Sequence, residues 1–250
     1  VNPVMLSEQE LAEYFKSVKA ENCSLSAINE IYYYGAGCAT ETICEKTAHA
    51  LRRVWPEADI TVASDLVGAA KSLFGDRPGI ACILGTGSNS GVYNGKEITS
   101  NIPPMGFILG DEGSGTALGK RLIKELFKSN IDENLKKMIL SETGLSLPDI
   151  IRHVYRGKSP NKFIASLVPI IRKHVDSPFI HNMVMEEFEE FFHRNVCLYP
   201  EKDSLPVSFI GSVALHFEPI LRKVAEKENI AVCEVKQRPM EGLVEFHLRK

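Results

Sequence analysis

An alternation of short β-rich runs and amphipathic helical runs near the start of the chain most constrains its fold. Ile31–Tyr34 is a β-rich run, and a helical pattern with apolar residues on one face follows from the N-cap Thr40 to about Val54. Ile60–Ala63 is a second β-rich run, and a small-residue helix, Val67–Phe74, comes soon after it. Strand, helix, strand and helix at this spacing predict a parallel βαβ unit.

The pattern changes beyond Pro78. The predicted elements of this stretch are, in chain order, the strand Ile80–Leu84, the tight glycine turn Gly85–Ser90, the strand Gly91–Tyr93, the two-residue hairpin turn Asn94–Gly95 and the strand Lys96–Thr99. Short strands joined by such turns predict an antiparallel meander. We therefore predict an N-terminal domain over residues 1–78 and a C-terminal domain over residues 79–239.

The remainder of the chain is mainly helical in its pattern. The predicted elements are an amphipathic helix over residues 114–128 with Leu118, Leu122 and Leu126 along one stripe, helices that include Phe163–His174 and His181–Val196, the strand Pro206–Ile210, a helix from Ala214 to Glu228, the strand Ile230–Val235 and a helix Met240–His247. Residues from about 130 to 200 form a predicted helical insertion in the C-terminal domain. The terminal helix, at about residues 240–250, is expected to pack back on the N-terminal domain.

Composition excludes several classes of protein. Of the 250 residues, 44% are hydrophobic and 24% are charged, as in globular proteins and unlike disordered or collagen-like chains. The net charge of −3 provides no electrostatic reason to bind nucleic acid or an anionic membrane, so neither is an expected partner. Six cysteines without a C-x-x-C pair predict reduced thiols in a cytoplasmic protein.

The glycine turn Gly85–Ser90 is the first segment that could carry chemistry. Its glycines let the backbone approach a ligand closely, and successive N–H groups in such a turn form a concave nest for anions. Thr86 and Ser88 add hydroxyl groups. The spacing alone favours a phosphate-binding loop and an ordinary hairpin about equally.

Gly106–Gly115 is the second such segment, because two carboxylates lie among its four glycines, just before a predicted helix. Asp111 and Glu112 could simply cap that helix and interact with its dipole. Four glycines exceed what a cap requires, so close approach to a substrate, with Asp111 accepting hydrogen bonds from polyol hydroxyls, is the functional alternative.

Two further segments follow predicted strands. Asp65 comes after Ile60–Ala63, and the carboxyl ends of strands in α/β units are where ligands bind, although Ser64 and Asp65 could also cap the next helix. Gly211 and Ser212 lie between a strand and a helix, where a turn can admit a nucleotide at the helix N-terminus.

The order of these four segments resembles the N-acetylglucosamine kinase and BadF/BadG-type ATPase family, within the actin–hexokinase superfamily. The similarity covers nearly the whole chain, and Pro103–Gly119 and Met240–Leu243 resemble its bacterial branch most closely. The resemblance implies an α/β fold of two ribonuclease-H-like domains around a cleft that binds ATP, Mg²⁺ and a sugar. It is compatible with a homodimer.

The resemblance also implies a role for each motif residue. Asp65 would be the general base for the sugar hydroxyl. The implied ATP-binding residues are Gly85 and Thr86, in the second phosphate loop, and Gly211 and Ser212, in the adenosine motif. The implied sugar-binding residues are Gly87, Ser88, Asn89 and Asp111.

One departure concerns the metal. The family begins with a strand and hairpin that carry a first phosphate loop of the D-G/S-G-S-T-K type, including the Asp linked to Mg²⁺, and this sequence contains no such loop. The residues after Val1 resemble the segment that follows it. We therefore expect the leading strands of the N-terminal domain to precede Val1, and the metal ligand stays unassigned.

Three functions are compatible with these motifs. The first is ATP-dependent phosphorylation of an amino sugar, foremost N-acetylglucosamine to its 6-phosphate, with Asp65 as the base. The second is an ATP-hydrolysing activator of a dehydratase-type partner, which would need a close cysteine pair to hold an iron–sulfur cluster, and Cys38 and Cys44 are a poor candidate for that pair. The third is a sugar sensor that binds without turnover.

Overall fold

The structure is a computed structural model that describes residues 2–22, 28–129 and 131–249. The helices are α1 (Glu8–Glu21), α2 (Glu41–Arg52), α3 (Asp65–Phe74), α4 (Gly106–Leu109), α5 (Gly115–Lys128), α6 (Glu133–Thr143), α7 (Leu147–Arg156), α8 (Pro160–Ala165), α9 (Val168–Lys173), α10 (Pro178–Arg194), α11 (Ser212–His216), α12 (Glu218–Lys227) and α13 (Met240–Leu248). The strands are β1 (Glu30–Gly35), β2 (Asp59–Ser64), β3 (Gly79–Leu84), β4 (Ser88–Tyr93), β5 (Ile98–Ile102), β6 (Val207–Ile210) and β7 (Val232–Lys236).

The chain divides into two compact units, Val1–Lys71 and Ser72–Lys250. This boundary lies inside α3, a few residues before Pro78. Helix α13 falls in the second unit, where Gly242 lies against Ser72 so closely that a Cβ would overlap the Ser72 carbonyl oxygen. The domain boundary near Pro78 and the packing of the terminal helix on the N-terminal domain stay predictions.

The first unit contains the predicted parallel βαβ unit. β1 and β2 pair in parallel, with Tyr33 opposite Val62, and α2 connects them. Helix α1 begins with a capping box, because the Ser7 side chain accepts from the Glu10 N–H and the Glu10 carboxylate accepts from the Ser7 N–H. An apolar cluster that includes Phe15 of α1 holds this unit together.

The second unit is built on a five-stranded sheet in the order β5-β4-β3-β6-β7. β3 pairs antiparallel with β4 and parallel with β6, and β4 pairs antiparallel with β5. The predicted meander is therefore confirmed. It forms one half of a mixed sheet, and the parallel half places the carboxyl ends of β3 and β6 at the same edge.

Two details of the predicted meander are wrong. β4 begins at Ser88, so the turn is Gly85–Gly87 rather than six residues long. The hairpin loop between β4 and β5 has four residues, Asn94–Glu97, instead of two. The Asn94 side chain accepts from the Lys96 and Glu97 N–H groups, each at 2.9 Å, and the Asn94 N–H donates to the Glu97 oxygen at 3.1 Å, so the loop is closed by bonds of its own.

Two predicted long helices are each divided in the structure. Phe163–His174 is divided between α8 and α9, and the helix from Ala214 becomes α11 and α12. Pro169 and Pro219 lie in the first turn of α9 and α12. A proline lacks the N–H that an uninterrupted helix would use, so each begins a new helix instead.

The core of the second unit fixes α5 beside β3. Leu118, Leu122 and Leu126 are buried along one face of α5, as predicted. They belong to the same cluster as Leu84 of β3 and Phe191 of α10. Burial of this stripe holds the N-terminus of α5 next to the turn that follows β3.

Five described cysteines are free thiols, namely Cys38, Cys44, Cys82, Cys197 and Cys233, and Cys23 lies outside the described residues. Within the described ranges, none of the helices has the length and the apolar character that crossing a bilayer requires.

Candidate nucleotide and sugar site

The glycine turn Gly85–Gly87 is held by the first turn of α5. The Gly115 N–H donates to the Gly85 oxygen at 2.8 Å, and the Thr116 N–H donates to the Thr86 oxygen at 3.1 Å. Within the turn the Gly85 N–H donates to the Gly87 oxygen at 3.0 Å. In the described part of the chain, the N–H groups of Thr86 and Gly87 donate to no protein acceptor, so they are available to an anion.

Gly211 packs under the same turn from β6. Its φ of +137° and ψ of 155° lie in a region that only glycine adopts readily. A Cβ here would lie 2.5 Å from the Leu84 carbonyl carbon and closer still to its oxygen. The absence of a side chain at Gly211 therefore lets the start of α11 approach the end of β3.

A pocket of about 210 Å³ lies over this junction. Its lining residues come from the turn and from α5, α8, α9 and α11, and they are Gly85, Thr86, Gly115, Ala165, Ser166, Val168, Pro169, Ser212, Val213 and His216. Three of the four residues predicted to bind ATP, Gly85, Thr86 and Ser212, thus line one pocket. The fourth, Gly211, supports it from below.

Asp111 is buried on the other flank of the turn. Its side chain is 7% exposed, and its backbone has a left-handed φ of +61°. The Ser88 N–H donates to its Oδ1 at 3.4 Å. A Cβ on Gly87 would lie 2.9 Å from Oδ2, so the glycine is what admits the carboxylate. Burial raises the pKa of Asp111, while the Ser88 bond and the nearby charge of Lys120 oppose that rise.

The residues predicted to bind the sugar are only partly assembled. Gly87, Ser88 and Asp111 lie together, as described above. The Asn89 side chain is on β4, where its oxygen accepts from the Ser90 N–H and from the Asn101 amide, each at 2.9 Å. The Asn89 oxygen is therefore occupied by hydrogen bonds within the sheet.

Asp65 lies in the first unit, at the start of α3 and directly after β2. Its carboxylate is half-buried, and its Oδ1 accepts from the Leu66 N–H at 2.9 Å. Burial raises the pKa of Asp65, and the hydrogen bond lowers it. Ser64 supplies a cap, because its Oγ accepts from the Val67 N–H at 3.3 Å. Ser64 therefore shares the capping of α3, and the catalytic role of Asp65 stays a prediction.

Comparison with known proteins decides the family. No family model matches the sequence. A crystal structure of a candidate N-acetylglucosamine kinase from Porphyromonas gingivalis is 42% identical, with a TM-score of 0.96, and the match covers 100% of this chain and 89% of that one. This chain belongs to the N-acetylglucosamine kinase family.

A curated member of the family is the N-acetylmuramic acid/N-acetylglucosamine kinase of Clostridium acetobutylicum. It is 31% identical over 135 residues, which are 51% of this chain and 44% of that protein. The chain thus spans less than half the length of this curated relative.

The family fold extends to more distant sugar kinases. A ROK family glucokinase from Streptomyces griseus, in complex with glucose and AMPPNP, is 14% identical with a TM-score of 0.54 over 95% of this chain and 86% of that one. At this identity the likeness concerns the fold alone. The α/β fold with ribonuclease-H-like units, which the resemblance implied, is therefore confirmed.

The family implies Mg²⁺, and the described residues do not assemble a site for it. They contain no group of three or more His, Cys, Asp or Glu side chains placed to hold a metal ion. The lining of the pocket over the glycine turn includes no carboxylate. Because Mg²⁺ prefers carboxylate, phosphate and water oxygens, we assign it no ligand in this chain.

Several residues of the site had no signal in the sequence. Tyr199 is one of them, since its hydroxyl bonds Ser90 Oγ at 2.8 Å and accepts from the Ile102 N–H at 3.0 Å. Lys120 is another, because its ammonium group donates to the Phe107 oxygen at 2.6 Å and fixes the loop before Asp111. Both contacts join residues that are far apart in the sequence, so no local motif predicts them.

Proposed function

We propose that this chain is the ATP- and sugar-binding part of an amino-sugar kinase that converts N-acetylglucosamine to its 6-phosphate. The observation that carries the proposal is the double contact of the glycine turn. Gly85 and Thr86 line the pocket over the turn, while Gly87, the next residue, lies against the buried carboxylate of Asp111. The same turn would thus hold the phosphate donor and the sugar acceptor next to each other.

Binding of ATP, the phosphate donor, would depend on backbone N–H groups. Phosphoryl transfer relies on positioning and on electrostatic stabilisation of the transferred group. The N–H groups of Thr86 and Gly87 would bind phosphate oxygens, and Ser212 adds a hydroxyl from the start of α11.

The acceptor side depends on carboxylates. Asp111 would accept hydrogen bonds from sugar hydroxyls, and its charge and burial would make such bonds strong. Asp65 would take the proton of the 6-hydroxyl as it attacks. Its raised pKa favours this role, since a base poised nearer the working pH transfers a proton more effectively.

Two relatives support the amino-sugar class of substrate. The curated relative is named for N-acetylmuramic acid and N-acetylglucosamine, and the 42% identical one for N-acetylglucosamine. A cytoplasmic location, with a supply of ATP and reduced thiols, and a homodimeric assembly belong to the same proposal.

The test is a coupled assay of ADP release with the natural protein, screened over N-acetylglucosamine, N-acetylmuramic acid, N-acetylmannosamine, glucosamine and glucose. We expect release to depend on an N-acetylated hexosamine and NMR to identify a 6-phosphate product. Sugar binding without ADP release would identify a sensor instead. ATP hydrolysis without sugar, together with bound iron, would identify an activator.

Gly85→Ala tests the donor side without disturbing the fold. A Cβ at Gly85 meets no atom within 4 Å, and its φ is not in the left-handed region. We expect thermal stability to stay within about 0.5 kcal/mol of the natural protein, as for substitutions away from packed features, while ATP affinity falls. An unchanged affinity would remove the turn from the nucleotide site.

A further inference from the structure

His216 is a half-buried imidazole on the wall of the pocket over the glycine turn. Within the described residues it makes no hydrogen bond and no ion pair. Of the described residues that line the pocket, only His216 is titratable, and the other polar side chains are the hydroxyls of Thr86, Ser166 and Ser212. A polar group left unpaired beside a pocket is free to bind what enters it.

Arg172 provides a positive charge beside the same pocket. It lies on α9 one turn beyond Val168, which lines the pocket, so both point to the same side of the helix. The Arg172 side chain is exposed and has no ion-pair partner in the described part of the chain. Burial, and then the charge of Arg172, lower the pKa of His216, so the imidazole is neutral near pH 7.

We propose that His216 and Arg172 together hold a phosphate group of the nucleotide, and that His216 takes up a proton when this phosphate binds. The inference rests on the proposed function, because it assumes that the pocket takes a nucleotide. A phosphate close to both groups would compensate the charge of Arg172 and favour the imidazolium form. The resulting charge-assisted hydrogen bond is stronger than one from a neutral imidazole.

The first measurement is calorimetry of ADP and of adenosine binding, without metal, in buffers of different ionisation enthalpy. For the natural protein we expect proton uptake with ADP that adenosine does not cause. ADP affinity should rise as pH falls from 8 to 6, by up to about tenfold for each unit by which the phosphate raises the pKa of His216. His216→Gln should bind ADP more weakly at pH 6 and lose this uptake.

Two further variants separate the roles. Arg172→Met should weaken ADP binding and leave adenosine binding unchanged. His193→Gln is the matched control, since His193 lies on the surface and bonds Glu228 at 2.9 Å; its ADP binding should equal that of the natural protein.

The outcomes are distinguishable. If the natural protein binds ADP, but His216→Gln shows the same affinity and the same proton uptake, the inference is wrong and the proposed function stands. If the natural protein binds no ADP at any pH, both are wrong. NMR titration of the histidines of the natural protein provides a check that needs no variant, because one imidazole pKa must rise on addition of ADP. If none rises, the proton uptake does not occur.

Discussion

Gly211→Ala should strongly destabilise the second unit, and the geometry shows why. The residue has φ +137° and ψ 155°, a conformation that costs a non-glycine residue about 1–3 kcal/mol. The new methyl group would also lie 2.5 Å from the Leu84 carbonyl carbon and 3.2 Å from the Gly85 nitrogen, where only backbone could move. Overpacking of this kind costs a further ~1–3 kcal/mol. We expect a total loss of about 4 kcal/mol, taking the middle of both ranges.

Two matched controls separate strain from overlap. Gly144 has φ +61°, and a Cβ there meets nothing within 4 Å, so Gly144→Ala should lose about 1 kcal/mol from backbone strain alone. Gly85→Ala has neither strain nor overlap and should lose almost nothing.

The assay is thermal unfolding followed by far-UV circular dichroism. The single tryptophan, Trp55, lies in the first unit, so its fluorescence would not report the second. For a unit of this size each kcal/mol lowers Tm by about 2–4 °C, which predicts a fall of ~8–16 °C for Gly211→Ala and ~2–4 °C for Gly144→Ala. Equal shifts for these two variants would refute the steric argument.

Three further predictions concern catalysis, sugar binding and the core. Asp65→Asn should lower turnover by at least ~10²-fold and leave sugar affinity intact. In the natural protein, kcat should rise with pH through a pKa above 3.8, the ordinary value for an Asp, because burial raises the pKa of Asp65. Near-native turnover in the variant would mean that Asp65 only caps α3. Asp111→Ala should abolish most sugar affinity in calorimetry while ADP still binds. Because burial raises the pKa of Asp111, the natural protein should lose sugar affinity as pH falls through that raised pKa, and a flat acid limb would contradict this. Tyr199→Phe should lower the free energy of unfolding by about 1–3 kcal/mol, since it leaves Ser90 Oγ and the Ile102 N–H unpaired in the interior, and an unchanged Tm would contradict this.

The elements that the sequence predicted well depend on local chemistry. The capping box of α1, the parallel strands β1 and β2, and the leucine stripe of α5 all follow from side-chain patterns within a few residues. The predictions were wrong where a single side chain changed the local backbone hydrogen bonding, which such patterns do not show. The Asn94 side chain lengthened a hairpin loop, and Pro169 and Pro219 began new helices within long helical patterns.

The order of the glycine motifs can be read from the sequence alone, and it predicted the family and the candidate site residues Gly85, Thr86, Gly87 and Asp111. What these motifs contact depends on the fold. Gly211 had to be glycine because Leu84, more than a hundred positions earlier, occupies the space of its side chain. His216 entered the pocket of Thr86, and Tyr199 reached Ser90, because packing of the core brings together groups that no period in the sequence relates. Such contacts are set by which faces bury against one another, and that is a property of the folded chain as a whole.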